Sequence, residues 1–401
     1  MPTVELRPST VAAGGDAVAR DDEGRVVFVT GALPGEAVSV ELTEERKRFA
    51  RGHVLEVLEA SPDRVAPPCP HVDRGCGGCS WQHVEHTAQR RLKVDIVADS
   101  LRKLGGVADP AVDAGPMLPL AGHRTTIRSA ITEGRAGFRR HHSHEIVDVD
   151  DCLVAHPLLN ELLVDGRFDG VAEVTLRCGA RTGERLVLAT PSATGIVVPP
   201  DVVVVGDDEL GAGKRAWFHE EVGGRRFRVS ARSFFQARPD GADALVDVVR
   251  AAVEDAPDGR MVDAYGGVGL FAALVAADRP VTVVEWSSSS AADARVNVPA
   301  AKVLRLDVAR WHASAAVVVV ADPARSGLGA MAVRALAASG AGHLVLVSCD
   351  PASLGRDAAL LAEHGFAHDR TTLVDLFPHT PHVEAVTRFI REPAQVRRSR
   401  R

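Results

Sequence analysis

The feature that most constrains this chain is a strand, a glycine turn, a helix and an acid-tipped second strand, followed by two strands that end in reactive residues. Met261-Val262-Asp263-Ala264 enters Gly266-Gly267-Val268-Gly269 and an apolar helix, and Val281-Thr282-Val283-Val284 ends in Glu285. Glycines let the backbone approach a ligand there, and a carboxylate at the second strand tip accepts from ribose hydroxyls. Ala316-Val317-Val318-Val319-Val320-Ala321 is apolar throughout, as a strand covered on both faces is, and it ends in Asp322-Pro323-Ala324-Arg325. His343-Leu344-Val345-Leu346-Val347-Ser348 ends in Cys349-Asp350-Pro351. From about Asp240 helices and strands alternate, which predicts an α/β domain with a doubly wound parallel sheet. Ligands of such sheets bind beyond the carboxyl ends of the strands, so Asp263, Glu285, Asp322 and Cys349 are expected to face one crevice. Gly267-Val268-Gly269-Leu270-Phe271-Ala272 also satisfies the dinucleotide pattern G-x-G-x-x-G/A, which keeps a nicotinamide-dependent oxidoreductase open.

The rest of the chain is organised differently. Residues 1 to about 60 carry short β-like runs, such as Arg25-Val26-Val27-Phe28-Val29 and Gly35-Glu36-Ala37-Val38-Ser39-Val40, separated by Gly and Asp, which suggests a small barrel. A Pro- and Cys-rich loop follows and leads into a helix expected over Glu85 to Leu104. The middle is β-rich, with strand-like runs at 171–178, 184–190, 195–205 and 225–230. Cys69, Cys76 and Cys79 are tightly spaced, with Cys152 as a distant closure; four thiolates suit an iron–sulfur cluster or zinc, and the spacing does not choose between them. Cys178, inside an apolar strand, reads as a core residue.

With 401 residues the chain exceeds one core and predicts two or three domains. Its net charge of −6 argues against indiscriminate coating of nucleic acid, while a local basic patch stays open. The start has no basic segment followed by an apolar one, and no apolar run reaches the ~18 residues of a membrane span, so a cytoplasmic protein without membrane contact is expected.

Five pieces in order, Ser233-Phe234-Phe235-Gln236, Asp263 to Gly269, Asp322 to Gly327, Ser348-Cys349-Asp350-Pro351 and Phe377 to Glu384, resemble the S-adenosylmethionine-dependent RNA uracil-C5 methyltransferases, over nearly the whole chain. The resemblance implies a class I, Rossmann-like methyltransferase domain over 236–401, an OB-like TRAM barrel over 1–60 and a β-rich central domain over 61–235. It implies contacts to S-adenosylmethionine from Gln236, Asp263, Tyr265, Gly267, Glu285, Asp307 and Asp322, with Cys349 as nucleophile and Glu384 as base. It also favours a [4Fe–4S] cluster on Cys69, Cys76, Cys79 and Cys152, with zinc as the alternative. The implied partner is RNA, 23S ribosomal RNA before transfer RNA, and the implied state is a monomer. Three positions depart from the family pattern: Arg238 and Asp350 stand where Asn is usual, and Ala324 where Pro is. A carboxylate at 350, if close, would raise the neighbouring thiol. A reading from another class, an RNA-binding assembly factor with a degenerate catalytic domain, draws on these departures.

The expected chemistry follows from uracil. Its C5 is a poor nucleophile; thiolate attack by Cys349 on C6 gives an enolate that places electron density on C5, which takes the methyl group. Glu384 then removes the C5 proton so that the thiolate leaves. Three RNA-contacting stretches are expected: Arg46, Lys47, Arg48, Phe49 and Arg51 in the barrel; Arg124 to His144, with Arg128, Arg135, Phe138, Arg139 and Arg140; and a disordered basic tail at Arg397, Arg398, Arg400 and Arg401.

Overall fold

The computed structural model describes residues 2–140 and 143–391, so the basic tail from Arg397 lies outside the described residues. The chain forms two compact units. The first holds residues up to 97, 116–242 and 375–383; the second holds 98–115, 243–374 and the segment from 384.

The first unit begins with a six-stranded sheet ordered Thr3–Leu6, Ala37–Glu45, Phe49–Glu59, Val26–Thr30, Ala17–Arg20 and Thr10–Val11. Alternating residues point inward along these strands, as the pleat requires: Val27, Val29, Val38 and Val40 form the barrel core with Leu6, Ala17 and Ala50. Buried Glu36 seals the barrel to the next segment, accepting from Leu33 N and from Arg64 Nη2, both at 2.8 Å.

A second six-stranded sheet follows, ordered Ile146–Asp148, Arg135–Arg139, Thr126–Thr132, Glu173–Cys178, Arg185–Thr190 and Val203–Gly206. The helix Pro157–Asp165 buries Leu159, Leu162 and Leu163 in the same core as Val174, Leu176 and Cys178. Cys178 is thus packed among apolar side chains. The run expected over 195–205 divides into Ile196–Val197 and Val203–Gly206. Pro199 and Pro200 fall between the two, where the missing amide donors interrupt a ladder. A hairpin of Trp217–Val222 and Arg225–Ser230 completes this part. The helix expected over 85–104 spans His86–Lys103, with Glu85 Oε2 accepting from Ala88 N at 3.0 Å.

The second unit is built on an eight-stranded sheet, ordered Lys302–Leu304, Val281–Val284, Met261–Ala264, Val318–Ala321, His343–Ser348, Ala385–Arg391, Phe366–Leu373 and Val112–Ala114. The first five are mutually parallel, and Ala385–Arg391 runs antiparallel to both neighbours. From Met261–Ala264 the chain winds outward to Lys302–Leu304 and then returns to Val318–Ala321 on the other side of the first strand. That reversal opens a crevice at the carboxyl ends of Met261–Ala264 and Val318–Ala321, where ligands of this fold bind. The α/β expectation is met. Among the described residues no helix is long and apolar enough to cross a membrane.

Candidate active site

The second unit gathers the predicted side chains through strand register. Ser348 lies opposite Ala385 in the antiparallel ladder, so the next residue on one strand, Cys349, and the preceding residue on the other, Glu384, leave the sheet side by side. Ala321 pairs with Leu346 and with Ala264, and Asp322 N donates to Ala264 O at 3.2 Å, which puts Asp322 at the same edge. Burial pushes the Cys349 thiol up to about 11, with Glu384 and then Asp322 adding their repulsion and Arg325 opposing them. Burial likewise drives the carboxyls of Asp322 and Glu384 upward, and Asp322 raises Glu384 further. Thiol and carboxyls therefore disfavour charge on one another, and a charge change at one shifts the others.

The glycine turn forms the neighbouring half of the crevice. Asp263 is fully buried; its Oδ2 accepts from Ala272 N at 2.9 Å, while its Oδ1 has no hydrogen-bond partner among the described residues. Burial pushes this carboxyl up to about 7 against the Ala272 amide, with Asp322 and Glu285 contributing. Tyr265 adopts φ 58°, a conformation uncommon for a bulky side chain and met chiefly where a site over-determines the backbone. Gly267 follows at φ 53° with open space where a Cβ would stand, and its N–H donates to Glu285 Oε2 at 2.9 Å. Glu285 Oε1 accepts from Ser287 N at 2.6 Å, which leaves further lone pairs for a ligand. Burial, then Asp307 and Asp357, push the Tyr265 phenol up to about 12, so Asp307 acts on the same turn. Its own side chain caps a short turn by accepting from Ala309 N at 2.9 Å.

Several of the residues holding this geometry were not expected. Asp357 accepts from Leu328 N at 2.7 Å and Gly329 N at 3.0 Å, and Ser353 Oγ donates to Arg325 O at 2.7 Å. Together they pin the Asp322–Gly327 loop to the helix Pro351–Glu363 that follows the thiol. Their signal was present: Ser353 and Asp357 are polar residues four apart on the buried face of that helix. Asp350 does not act as the sequence allowed. It is the N-cap of the helix, with Oδ1 accepting from Ser353 N at 2.7 Å, and the charges that raise Cys349 are Glu384 and Asp322. Asn caps a helix as well as Asp does, which accounts for the exchange. Ala324, exposed, closes a turn by accepting from Gly327 N at 2.9 Å.

Gln236 belongs to the first unit, where it is buried. The loop before it is held by buried Arg177, whose Nη1 donates to Ser233 O at 2.7 Å. Arg238 is fully buried and grips Asp240 through Nε at 2.7 Å and Nη2 at 2.6 Å; Asp240 Oδ1 also accepts from Gly241 N at 2.8 Å. The segment leading to Glu384 is anchored in this unit too. Lys93 Nζ donates to Asp375 Oδ1 at 2.7 Å and Phe377 O at 2.9 Å, and His379 N donates to Gln89 Oε1 at 2.7 Å.

The four cysteines of the first unit, Cys69, Cys76, Cys79 and Cys152, line one cavity of about 720 Å³. Burial pushes the Cys79 thiol up to about 11 and raises Cys76 and Cys152. Cys69 N donates to Gln82 Oε1 at 3.0 Å and Cys152 N to Asn160 Oδ1 at 2.9 Å, bonds that orient the backbone around the cavity. Among the described residues, no three His, Cys, Asp or Glu side chains converge on a site for a single metal ion. In the barrel, the guanidinium of Arg51 lies 5.1 Å from the Phe28 ring and 5.8 Å from Phe49, giving the expected basic and aromatic cluster a second ring. In the 124–144 stretch, Arg128 pairs with Glu173, Arg135 with Asp148 and Arg140 with Glu145.

Comparison with known proteins supplies the context. The TRAM domain model matches residues 6–55. A 23S rRNA (uracil(1939)-C(5))-methyltransferase RlmD from Halomonas elongata is 33% identical, across 98% of this chain and 90% of its own. The chain belongs to the RNA uracil-C5 methyltransferase family. That membership removes the nicotinamide-dependent reading. Another relative, an uncharacterized RNA methyltransferase from Streptomyces coelicolor, is 36% identical across 97% of this chain and 93% of its own. In three dimensions the chain is similar to the tRNA (uracil-54, C5)-methyltransferase of Pyrococcus abyssi, solved with S-adenosyl-L-homocysteine, at a TM-score of 0.74 and 23% identity over 96% of this chain and 100% of that one. This likeness establishes the family's fold.

Proposed function

We propose that this chain transfers a methyl group from S-adenosylmethionine to C5 of a uridine in 23S ribosomal RNA, through a covalent bond between Cys349 and C6. The observation that carries the reading is the ladder pair Ser348 and Ala385, which delivers Cys349 and Glu384 together at the carboxyl edge of the sheet. The bound donor supplies an electrophilic methyl group on a positively charged sulfur. Asp263, Tyr265, Gly267, Glu285, Asp307 and Asp322 of the second unit would hold it: the open space over Gly267 would admit it, and Glu285 and Asp263 Oδ1 would offer acceptors. A bound donor would bring positive charge to these carboxyls and so would lower them and the thiol, which Arg325 already lowers. Cys349 as thiolate bonds C6; C5 takes the methyl group; Glu384 removes the C5 proton, and the C6–S bond breaks to restore the ring. A target uridine inside a folded RNA leaves its stack to reach the thiol.

For Cys69, Cys76, Cys79 and Cys152 we propose a [4Fe–4S] cluster, structural in role, tying residues 69–79 to the central sheet. Four thiols lining one cavity of about 720 Å³ support this reading. Zinc, which takes four sulfurs at ~2.3 Å, is the alternative. Iron content and an absorption spectrum of anaerobically purified protein test this.

The methyl-transfer reading is tested by mapping 5-methyluridine in ribosomal and transfer RNA incubated with the purified protein and donor. One 23S rRNA uridine is expected to gain the methyl group; methylation confined to tRNA overturns the substrate. Cys349→Ala is expected to lower turnover by roughly 10⁴-fold or more with RNA and donor binding kept. Unchanged turnover in that variant would mean that the thiol is not the nucleophile, and no turnover by the unaltered protein supports the assembly-factor alternative.

A further inference from the structure

The hairpin Trp217–Val222 with Arg225–Ser230 in the first unit has two unlike faces. Phe218, Glu220, Val222, Phe227 and Val229 point inward and are buried, Glu220 accepting from Ala180 N at 2.7 Å and Arg181 N at 3.1 Å. The outward face is formed by the alternate residues, among them Trp217 and Arg228. Trp217 remains 40% exposed although it is a large ring on a two-stranded ladder, and the Arg228 guanidinium lies 5.5 Å from its centroid. Arg215, also exposed, stands two residues before it, and Phe234, 67% exposed, follows the end of the ladder where Trp217 pairs with Ser230. From 214 to 232 the chain has six Lys or Arg and two acids, and one of those acids is the inward Glu220, within a protein of net charge −6. Lys214 pairs with Glu209 and Arg232 with Asp207, while Arg226 and His219 share Glu184 with Glu221 exposed beside them, so the cations next to the Trp217 ring are Arg215 and Arg228.

An exposed indole capped by a guanidinium, with further arginine beside it, is the combination that binds single-stranded nucleic acid: the ring stacks on a base and the cations meet phosphates. We propose that this hairpin end, centred on Trp217 and Arg228 and extending to Arg215 and Phe234, docks a single-stranded stretch of the RNA substrate. The proposal rests on the RNA reading above and assigns it a surface separate from the barrel and from the 124–144 stretch. Charge complementarity selects RNA over a protein partner, since the patch is basic on an acidic chain.

The test uses the full chain and a fluorescein-labelled oligouridylate of about 20 nucleotides, titrated over a range of salt concentrations. Trp217→Ala is expected to weaken binding about tenfold, and Trp217→Phe, which keeps a ring, to restore it to within about twofold. Arg228→Gln is expected to reduce the steepness of log Kd against log salt by about 0.7, one phosphate contact on a single strand. Binding of S-adenosylhomocysteine, measured by calorimetry, reports that each variant is folded. Affinity and salt slope unmoved in Trp217→Ala and Arg228→Gln overturn the proposal, as a protein-binding face would, and so does equal loss in Trp217→Ala and Trp217→Phe. Methyl transfer by the unaltered protein distinguishes this failure from failure of the enzymatic reading, because it persists in the first case and is absent in the second.

Discussion

Buried carboxyls in the two units take opposite courses. In the first, burial works against the Asp375 carboxylate, but His86 and Lys93 overcome it and hold it down at about 2. In the second, Asp263 is at least as deeply buried, and with no cation among the described residues acting on it the carboxyl is pushed up to about 7. Asp322 and Glu384 follow Asp263. Burial is common to both regions; the partner differs. The paired carboxylate is a fastener, anchoring the segment that leads to Glu384. The raised ones favour a cation over a further anion beside them, and a sulfonium donor is a cation. A buried acid therefore reveals its use less by depth than by whether its counter-charge belongs to the chain.

Removing the counter-ion tests the first half of this contrast and has the largest expected effect on stability. Lys93→Met leaves Asp375 buried with His86 alone, and urea denaturation near neutral pH should show a loss of about 3–5 kcal/mol. Asp375 is depressed relative to an unfolded aspartate, so its contribution is present above about pH 4 and is lost as pH falls toward 2. The penalty in Lys93→Met should shrink over that window. A penalty independent of pH would assign the effect to lost packing.

Removing a charge from the second unit should do the reverse. Asp263 is raised relative to an unfolded aspartate, so its favourable contribution is complete below about pH 4 and disappears as pH rises through 7. Asp263→Asn keeps an acceptor for Ala272 N and removes that dependence. Thermal melting at pH 8 without donor should find the variant more stable than the unaltered protein by roughly 2–4 kcal/mol, with the difference gone at pH 4. The same variant should bind S-adenosylmethionine more weakly. Equal stability at both pH values would place Asp263 outside the contrast.

How far this contrast can be read without coordinates depends on sequence distance. Asp263, Glu285, Asp322 and Cys349 were legible because each lies at or next to the carboxyl end of a strand, and a parallel sheet brings such ends to one edge. The pairing of Ser348 with Ala385 was not, since register depends on the whole antiparallel strand. Lys93 and Asp375 are 282 residues apart, and nothing local in either stretch announces the other. Asp357 was legible in principle as a carboxyl on the buried face of an amphipathic helix. The direction of Asp350 was open until the cap geometry closed it. The smallest expected effect belongs there: Asp350→Asn should leave stability within about 0.5 kcal/mol and leave alkylation of Cys349 unchanged. Faster alkylation would show that Asp350 acts on the thiol after all.

The covalent route itself is tested most directly by disabling the step that ends it. Glu384→Gln removes the proposed base for the C5 proton, an expected loss of about 10²–10⁴-fold in turnover, while the proposed bond from Cys349 to C6 should still form. Mass spectrometry of this variant after incubation with donor and RNA, followed by nuclease and protease digestion, should find the Cys349 peptide carrying a methylated uridine. Donor and RNA bound, turnover lost and Cys349 unmodified would contradict the covalent route.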